Sequence, residues 1–426
     1  MKRLWFAAFL VAISIVLLVG SSGITEASRN PLAIDMVIVI ENSTRMNKQP
    51  DDSRTLDKNG LRFDAAAALI SMCDAKYSRA NYFLFNTDLY VYSETATGNV
   101  KNVTPNDIAL FDISLPVHKT QRQRIMEILN GGKIRNGYGT KAGADIGKAF
   151  SAAVDVQIRE SGNGNRKVIL LLTAGNDKLD AASIESAKKA KKDADANGIE
   201  VYAVALSETS SAQLLQELVT SPDNYQFASS PEDLVDVYRN FFAAMIGSDP
   251  MESKSIRAEE EGHSRIELTI PNDSVAEVNI IIPLTNVDDL MLKGPDGRTI
   301  TKTEDDVFVS SSRNFISYKL ISPQSDTYVL SYSSTDEKNI VVQYVFSYGV
   351  QVQAEVNANK INKHESVTFS AKYTEDGLPT KDGKLYNIPA KLTLKKGNRV
   401  IKQTDMDHDD SRYHHYGHVF LPIQGK

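Results

Sequence analysis

The stretch Ile34-Asp35-Met36-Val37-Ile38-Val39-Ile40 constrains this chain more than any other. Six of its seven positions are apolar, and it runs straight into a polar loop, Glu41-Asn42-Ser43-Thr44-Arg45-Met46. A strand without polar alternation has to be covered on both faces, as happens inside a parallel α/β sheet. In open sheets of that kind, sites form in the loops at the carboxyl ends of the strands. The loop that starts at Glu41 is therefore the first place to look for function.

The chain that follows fits such a sheet. Helical patterning spans 61–76, then two short strands fall at 81–85 and 89–92 around an Asn86-Thr87-Asp88 turn. The segment 96–119 reads as loop, and a helix at 120–129 ends on Gly131-Gly132. A helix at 142–160 carries Ile146, Phe150, Val154 and Ile158 as a core-facing stripe, with Ala149 and Ala153 beside it for close approach. Two more buried strands, Arg166–Thr173 and 200–206, bracket a helix at 181–197 that stops at Asn197-Gly198. A helix at 211–219 and a strand at 225–228 come next. Ser230-Pro231-Glu232-Asp233 then opens the last helix with a cap, a first-turn proline and acids at the positive helix end. Alternating strands and helices give an α/β fold with a mostly parallel sheet and helices on both faces.

The texture changes near Met251. After a charged linker at 249–263, short runs alternate in pairs: Ile266, Leu268 and Ile270; Val278, Ile280 and Ile282; Tyr328, Leu330 and Tyr332; Tyr344, Phe346 and Tyr348. Turn signals such as Pro295-Asp296-Gly297 separate them, which reads as a β-sandwich over 264–349. Residues 350–426 read as a further, immunoglobulin-like β domain that is short of a full strand complement.

The N-terminus has the form of a secretory signal. Met1-Lys2-Arg3 precedes an apolar run from Leu4 to about Gly20, and small residues allow cleavage after Ala27. The expectation is an exported protein with the signal at 1–27, or an uncleaved anchor if the run stays in the membrane. A single cysteine, Cys73, excludes an internal disulfide framework. It shares a helix face with Ala66, Leu69 and Ile70, so it reads as a buried core thiol. A net charge of -6 gives no basis for nucleic-acid binding.

The segment 32–248 resembles a von Willebrand factor A (VWA) domain in length, element order and landmarks. The landmarks are the first strand with its serine loop, Tyr138-Gly139-Thr140 before a helix, Leu171-Leu172-Thr173-Ala174-Gly175 after a buried strand, and Ser230-Pro231-Glu232-Asp233-Leu234. The family's first strand ends in Asp-x-Ser-x-Ser, a loop that holds a divalent cation through hard oxygen ligands. The resemblance implies that Ser43 and Thr140 match two ligand positions. Glu41 stands where the first aspartate belongs, Arg45 where the second serine belongs, and Ala174 where the last aspartate belongs. One acid is lengthened, one is lost and a permanent cation is added. The expectation is a degenerate, metal-free site in which Glu41 pairs with Arg45. If magnesium or calcium does bind, Glu41, Ser43, Thr140 and Asp177 are the expected ligands.

Other motifs carry less. The run Asp405-Met406-Asp407-His408-Asp409-Asp410, followed by His414, His415 and His418, fails as a calcium loop because Asp410 and Tyr416 occupy key positions. It reads as a solvated interstrand loop, with a transition-metal site as the alternative. His364-Glu365 lacks the second histidine of a zinc protease motif, and no nucleophile elbow or phosphate loop is present. Asn42, Asn102 and Asn272 begin glycosylation sequons, but Asn42 lies inside the site loop. The resulting expectation is a non-enzymatic, secreted or cell-surface binding protein that contacts a protein partner through the loops around Ser43, Thr140 and Ala174. The alternatives are a structural scaffold in a surface assembly, or a weakly metal-dependent adhesin.

Overall fold

All eight residues of β1 (Ile34–Glu41) are buried, and their side chains divide between two cores. Ile34, Met36, Ile38 and Ile40 join one apolar cluster. Val37 and Val39 join another on the opposite side of the sheet. Complete apolar coverage is thus the direct result of an unalternated sequence.

The structure, a computed structural model, describes residues 33–420 except 48–54, 58, 74–75, 77, 93–99, 137–139, 175–180, 207–211, 247–253, 257–262, 271–274, 284–286, 302–303, 313, 335–339, 349, 357–365, 376–377, 381–390, 397–398 and 410–413. The expected signal segment and Asp177 lie outside the described residues. Among the described residues no helix is long and apolar enough to cross a membrane. Over the described residues the chain divides into two units, 33–348 and 350–420.

In the first unit, β1 is followed by α1 (Leu61–Met72), β2 (Arg79–Phe85), β3 (Leu89–Tyr92), β4 (Val100–Asn102), β5 (Phe111–Asp112), α2 (Lys119–Asn130) and α3 (Gly132–Arg135). Then come α4 (Ile146–Arg159), β6 (Arg166–Thr173), α5 (Ala181–Ala196), β7 (Ile199–Ala205), α6 (Ala212–Leu218), β8 (Tyr225–Phe227) and α7 (Pro231–Ile246). The sheet order is β4-β3-β2-β1-β6-β7-β8, with β5 on β2. β1 runs parallel to both β2 and β6 and lies at the centre. Helices α1, α2 and α7 cover one face, and α4, α5 and α6 cover the other. This is the mostly parallel, doubly covered α/β layer that the alternation of elements implies.

Three local expectations are corrected. β4 and β5 lie inside the segment read as loop. Helix α4 begins at Ile146 rather than near 142, because Asp145 caps it by accepting from Lys148 N at 2.9 Å. Ile158 ends the expected core stripe but is 36% exposed. Its neighbour Gln157 takes the inward place, donating from Nε2 to the carbonyls of Asp35 and Val168 at 2.7 and 2.8 Å. The close approach of α4 and α5 is real: a Cβ on Gly147 would lie 2.1 Å from Ser183 O.

Eight further strands complete the first unit: β9 (Lys254–Ile256), β10 (His263–Thr269), β11 (Val275–Pro283), β12 (Val287–Lys293), β13 (Val307–Ser311), β14 (Phe315–Ile321), β15 (Thr327–Ser334) and β16 (Ile340–Tyr348). They form sheets β10-β15-β12 and β13-β14-β11-β16-β9. Ile266, Leu268, Ile280, Ile282, Leu330 and Tyr332 meet in a shared core, as alternation implies. β9 lies within the expected linker and pairs with β16. The outer face of the larger sheet is also covered: Ile281, Phe308 and Phe315 belong to the same cluster as α1, α2 and α7. At this joint the Lys319–Glu277 ion pair has side chains 1% and 5% exposed. Lys319 Nζ also donates to Met72 O at 3.2 Å, and Arg122 donates to Cys73 O at 3.0 Å. Two cations thus satisfy carbonyls left open at the end of α1. Cys73 itself is a buried thiol.

The second unit holds β17 (Val350–Val356), β18 (Ser366–Glu375), β19 (Leu378–Pro379), β20 (Lys391–Lys396), β21 (Arg399–Asp405), β22 (Asp407–Asp409) and β23 (His414–Phe420). Strands β17-β18-β23-β22 make one sheet, with β19 on β18, and β20 pairs with β21. The histidine-rich stretch read as a solvated loop is therefore paired at both ends, Asp407↔Tyr416 through Asp409↔His414. The cause is visible on β23, where His415, Gly417 and Val419 register with Ala371, Phe369 and Val367 of β18. His415 is 4% exposed and stacks edge-on to Tyr373 at 5.8 Å.

Candidate functional site

The loop after β1 is built from its own polar side chains. Asn42 N donates to Phe85 O at 2.7 Å, and Met46 N closes a turn on Ser43 O at 3.1 Å. Asn42 Nδ2 donates to the Tyr90 hydroxyl at 2.6 Å. Burial pushes that tyrosine's pKa up to about 12, so it stays protonated at neutral pH. Asn42 is 0% exposed, which leaves no room for a glycan on its sequon.

Arg62, on the first turn of α1, holds this loop. Its guanidinium donates to Asp57 Oδ2 at 2.6 Å, Met46 O at 3.1 Å, Asn47 Oδ1 at 2.7 Å and Asn42 Oδ1 at 3.1 Å. Asp57 in turn caps α1, accepting from Leu61 N at 2.7 Å. The planar fork suits this task, since several acceptors are fixed in one plane by one side chain. Both Arg62 and Asp57 are fully buried as side chains, at 1% and 0%.

Three loops converge at the carboxyl ends of the central strands. Ser43 and Lys141 form an isolated parallel bridge, and Thr44 N donates to Lys141 O at 3.0 Å. That brings half-buried Thr140 beside the Ser43 loop. Glu41 ties in the third loop. Its Oε1 accepts from Ser43 Oγ at 2.6 Å, and its Oε2 accepts from Thr173 Oγ1 at 2.5 Å and Ala174 N at 3.1 Å. On the rim, Lys141 Nζ reaches Asp88 Oδ2 at 2.7 Å. The Lys141 hydrogen bond and charge hold the Asp88 carboxyl below its ordinary range.

The expected Glu41–Arg45 pair is corrected by this geometry. Arg45 is exposed on the turn, while Glu41 is 4% exposed and turned toward Ser43, Thr173 and Ala174. The extra methylene of glutamate lets the carboxylate cross from the end of β1 to the end of β6. Ala174, 1% exposed, leaves the space that this reach requires.

Residues 99–240 match the von Willebrand factor type A domain family. This α/β layer is a VWA domain. The match begins after β1, so Glu41 and Ser43 are placed in the domain by the sheet that β1 centres. No curated protein matches the chain. Among solved structures, the chain is similar to proximal thread matrix protein 1 from the mussel byssus (12% identity, 57% of this chain, 50% of that chain, TM-score 0.35). It is also similar to a von Willebrand factor type A protein from Catenulispora acidiphila (14% identity, 83% of this chain, 68% of that one, TM-score 0.33). A third is the adhesive tip pilin GBS104 from Group B Streptococcus agalactiae (10% identity, 88% and 84%, TM-score 0.35). The chain spans half the length of the mussel protein.

The VWA family implies a divalent cation at these loops, so the donors present have to be weighed. A hard cation such as magnesium or calcium takes about six oxygen ligands or more. Among the described residues, the Ser43, Thr140 and Ala174 loops offer one carboxylate, Glu41, and it already accepts from three donors. Ala174 offers no side-chain oxygen. The donors among the described residues, which do not include Asp177, do not by themselves fit a divalent cation. Sequence reasoning missed Arg62, Asp57, Asn47, Tyr90, Thr173 and Lys141. The one signal available was the charged pair Arg62 and Asp64 set among apolar residues in the first half of α1, a place where a charge needs buried partners.

Proposed function

We propose that this chain is a non-enzymatic binding protein. Its VWA domain engages a protein partner through the Ser43, Thr140–Lys141 and Thr173–Ala174 loops, without a metal ion. One observation carries the reading: the Glu41 carboxylate links β1 to β6 through the site's own hydroxyls and an N–H, the position where the family resemblance puts the ion. The loops are thereby held in one arrangement before any partner arrives, which lowers the ordering cost of binding. Export through the N-terminal segment would put the domain outside the cell or on its surface.

The test is an array of extracellular proteins probed with the full chain, with and without EDTA. Binding is expected to survive EDTA and to be lost in Glu41→Ala and Thr140→Ala. Binding that needs magnesium overturns the metal-free reading, and binding untouched by both variants moves the contact elsewhere. A titration with magnesium, manganese or calcium is expected to give no saturable heat.

A fixed scaffold role is the second reading. It is favoured by the joint in which the sandwich already occupies the α1, α2 and α7 face. Assembly that persists in both site variants supports it.

A further inference from the structure

We propose that the chain self-associates through the outer edge of β10, two copies pairing their His263–Thr269 strands antiparallel about Ile266. This surface lies in the sandwich and stands independently of the VWA loops. In an antiparallel ladder alternate residues point their N–H and C=O at the neighbouring strand, and the residues between point them away. Ile270 N donates to Asp326 O at 2.9 Å, continuing the register of the β10–β15 ladder. Ser264, Ile266 and Leu268 therefore bond to β15, and the backbone groups of His263, Arg265, Glu267 and Thr269 face the opposite side. Among the described residues no strand lies beyond β10 in the order β10-β15-β12. Among them, too, no backbone group bonds to Arg265 or Thr269 across that edge.

The other edges of the sandwich are blunted. β12 shifts register between Asp288 and Met291, where Asp289 has a φ of 50°, and Ile300 N returns to Leu292 O at 2.8 Å. On β13, Val307 O and Ser311 O accept from Lys119 Nζ at 3.1 Å and Asn130 Nδ2 at 2.8 Å. β9 is three residues long. Bulges, covering groups and short strands all keep an edge from templating another chain. β10 instead runs seven residues in unbroken register with β15. Its side chains fit a second copy of itself. Ile266 and Leu268 face the sandwich core, at 0% and 3% exposure. Arg265 and Glu267 stand on the open face, 63% and 59% exposed as side chains, and meet each other at 2.9 Å. Charges on an edge ordinarily repel a like strand, but the order here is self-complementary. A two-fold axis at Ile266 sets Arg265 opposite Glu267 of the second copy, and Glu267 opposite its Arg265. Outward residues then face outward residues, so each such pair can exchange both backbone bonds. Opposite charges across paired strands stabilise the contact and like charges weaken it. The contact uses the same surface on both copies, so it closes as a dimer.

The experiment is sedimentation equilibrium of the full chain from about 1 μM to about 1 mM, in mild detergent to keep the N-terminal apolar run dispersed. A reversible monomer–dimer equilibrium that weakens as salt rises is expected. Arg265→Glu leaves acids alone beside the axis, and Glu267→Arg leaves cations alone. Each is expected to weaken the dimer at least about tenfold, and an equimolar mixture of the two variants is expected to restore it. Thr269→Pro removes an N–H that faces the open edge rather than β15, and is expected to weaken the dimer without touching the charges. Thermal melts confirm that the variants fold. The proposal is overturned by a chain that stays monomeric throughout, or by association that survives both charge reversals, as contact through the N-terminal run would. It is equally overturned if mixing the variants restores nothing, or if Thr269→Pro leaves the dimer unchanged.

Discussion

Replacing Arg62 with methionine tests what holds the site loop in place. Methionine keeps much of the apolar volume and removes every donor. Asp57 is left buried at 0% side-chain exposure, and Met46 O, Asn42 and Asn47 each lose a guanidinium bond. Removing one partner of a buried ion pair costs about 3–5 kcal/mol. Each stranded acceptor adds about 1–3 kcal/mol, but residues of one network do not add independently. Asp57 also keeps its helix-capping donors, Leu61 N and Arg62 N. Together these place the loss at about 4 kcal/mol. Arg62→Lys retains the charge and loses the fork, so about half that loss is expected. The double variant Arg62→Met with Asp57→Asn neutralises the stranded acid and keeps an oxygen for the cap. It is expected to recover about 2 kcal/mol relative to Arg62→Met. The assay is urea unfolding at pH 7, followed by near-UV dichroism of the tyrosines, since the only tryptophan is Trp5. A loss below about 1 kcal/mol in Arg62→Met, or no recovery in the double variant, refutes the assignment.

Three other outcomes follow from the same structure. Ala174→Asp sets a second carboxylate against Glu41, and unit charges about 4 Å apart interact at about 4 kcal/mol at an effective dielectric of 20; melts are expected to show destabilisation at pH 7 that shrinks toward pH 4. Lys319→Met strands Glu277 at the sandwich joint and is expected to cost about 3–5 kcal/mol, while Lys319→Met with Glu277→Leu is expected to be near neutral in urea unfolding. Burial, then the charge of Asp193, raises the Asp155 carboxyl above its ordinary range. A raised acid binds its proton more tightly when folded, so stability falls as pH rises from the unfolded value through the folded one. Asp155→Asn is thus expected to raise the melting temperature slightly at pH 7 and not at pH 3.

The architecture was legible where burial leaves a local trace. β1 announces its two-sided coverage in six apolar residues, and the alternation at Ile266, Leu268 and Ile270 marks a strand with one face in a core. The positions of Glu41, Ser43, Thr140 and Ala174 were legible because strand ends fix them. Their bonding was not. Glu41 and Arg45 are close in sequence, and a turn closed by Met46 N on Ser43 O sends Arg45 outward. Meanwhile the longer acid finds donors 132 and 133 residues away. Gln157 replaced Ile158 in the core for a similar reason: strand carbonyls made a polar side chain the better inward residue there. Arg62 escaped notice because periodicity assigns charges to an open helix face, and α1 has none.

That last property has a consequence for how the gene can vary. All twelve residues of α1 are buried, including Arg62, Asp64 and Ser71, because the sheet lies on one side and the sandwich on the other. Asp64 meets Arg135 at 2.6 Å and Asn314 at 2.5 Å. An amphipathic helix tolerates substitution in a rhythm of about 3.6 residues, permissive wherever solvent lies. Along α1 that rhythm is absent. A saturation library across 61–72 should return a flat, uniformly intolerant profile, and drift in this helix has to proceed through paired replacements with the sandwich residues that cover it.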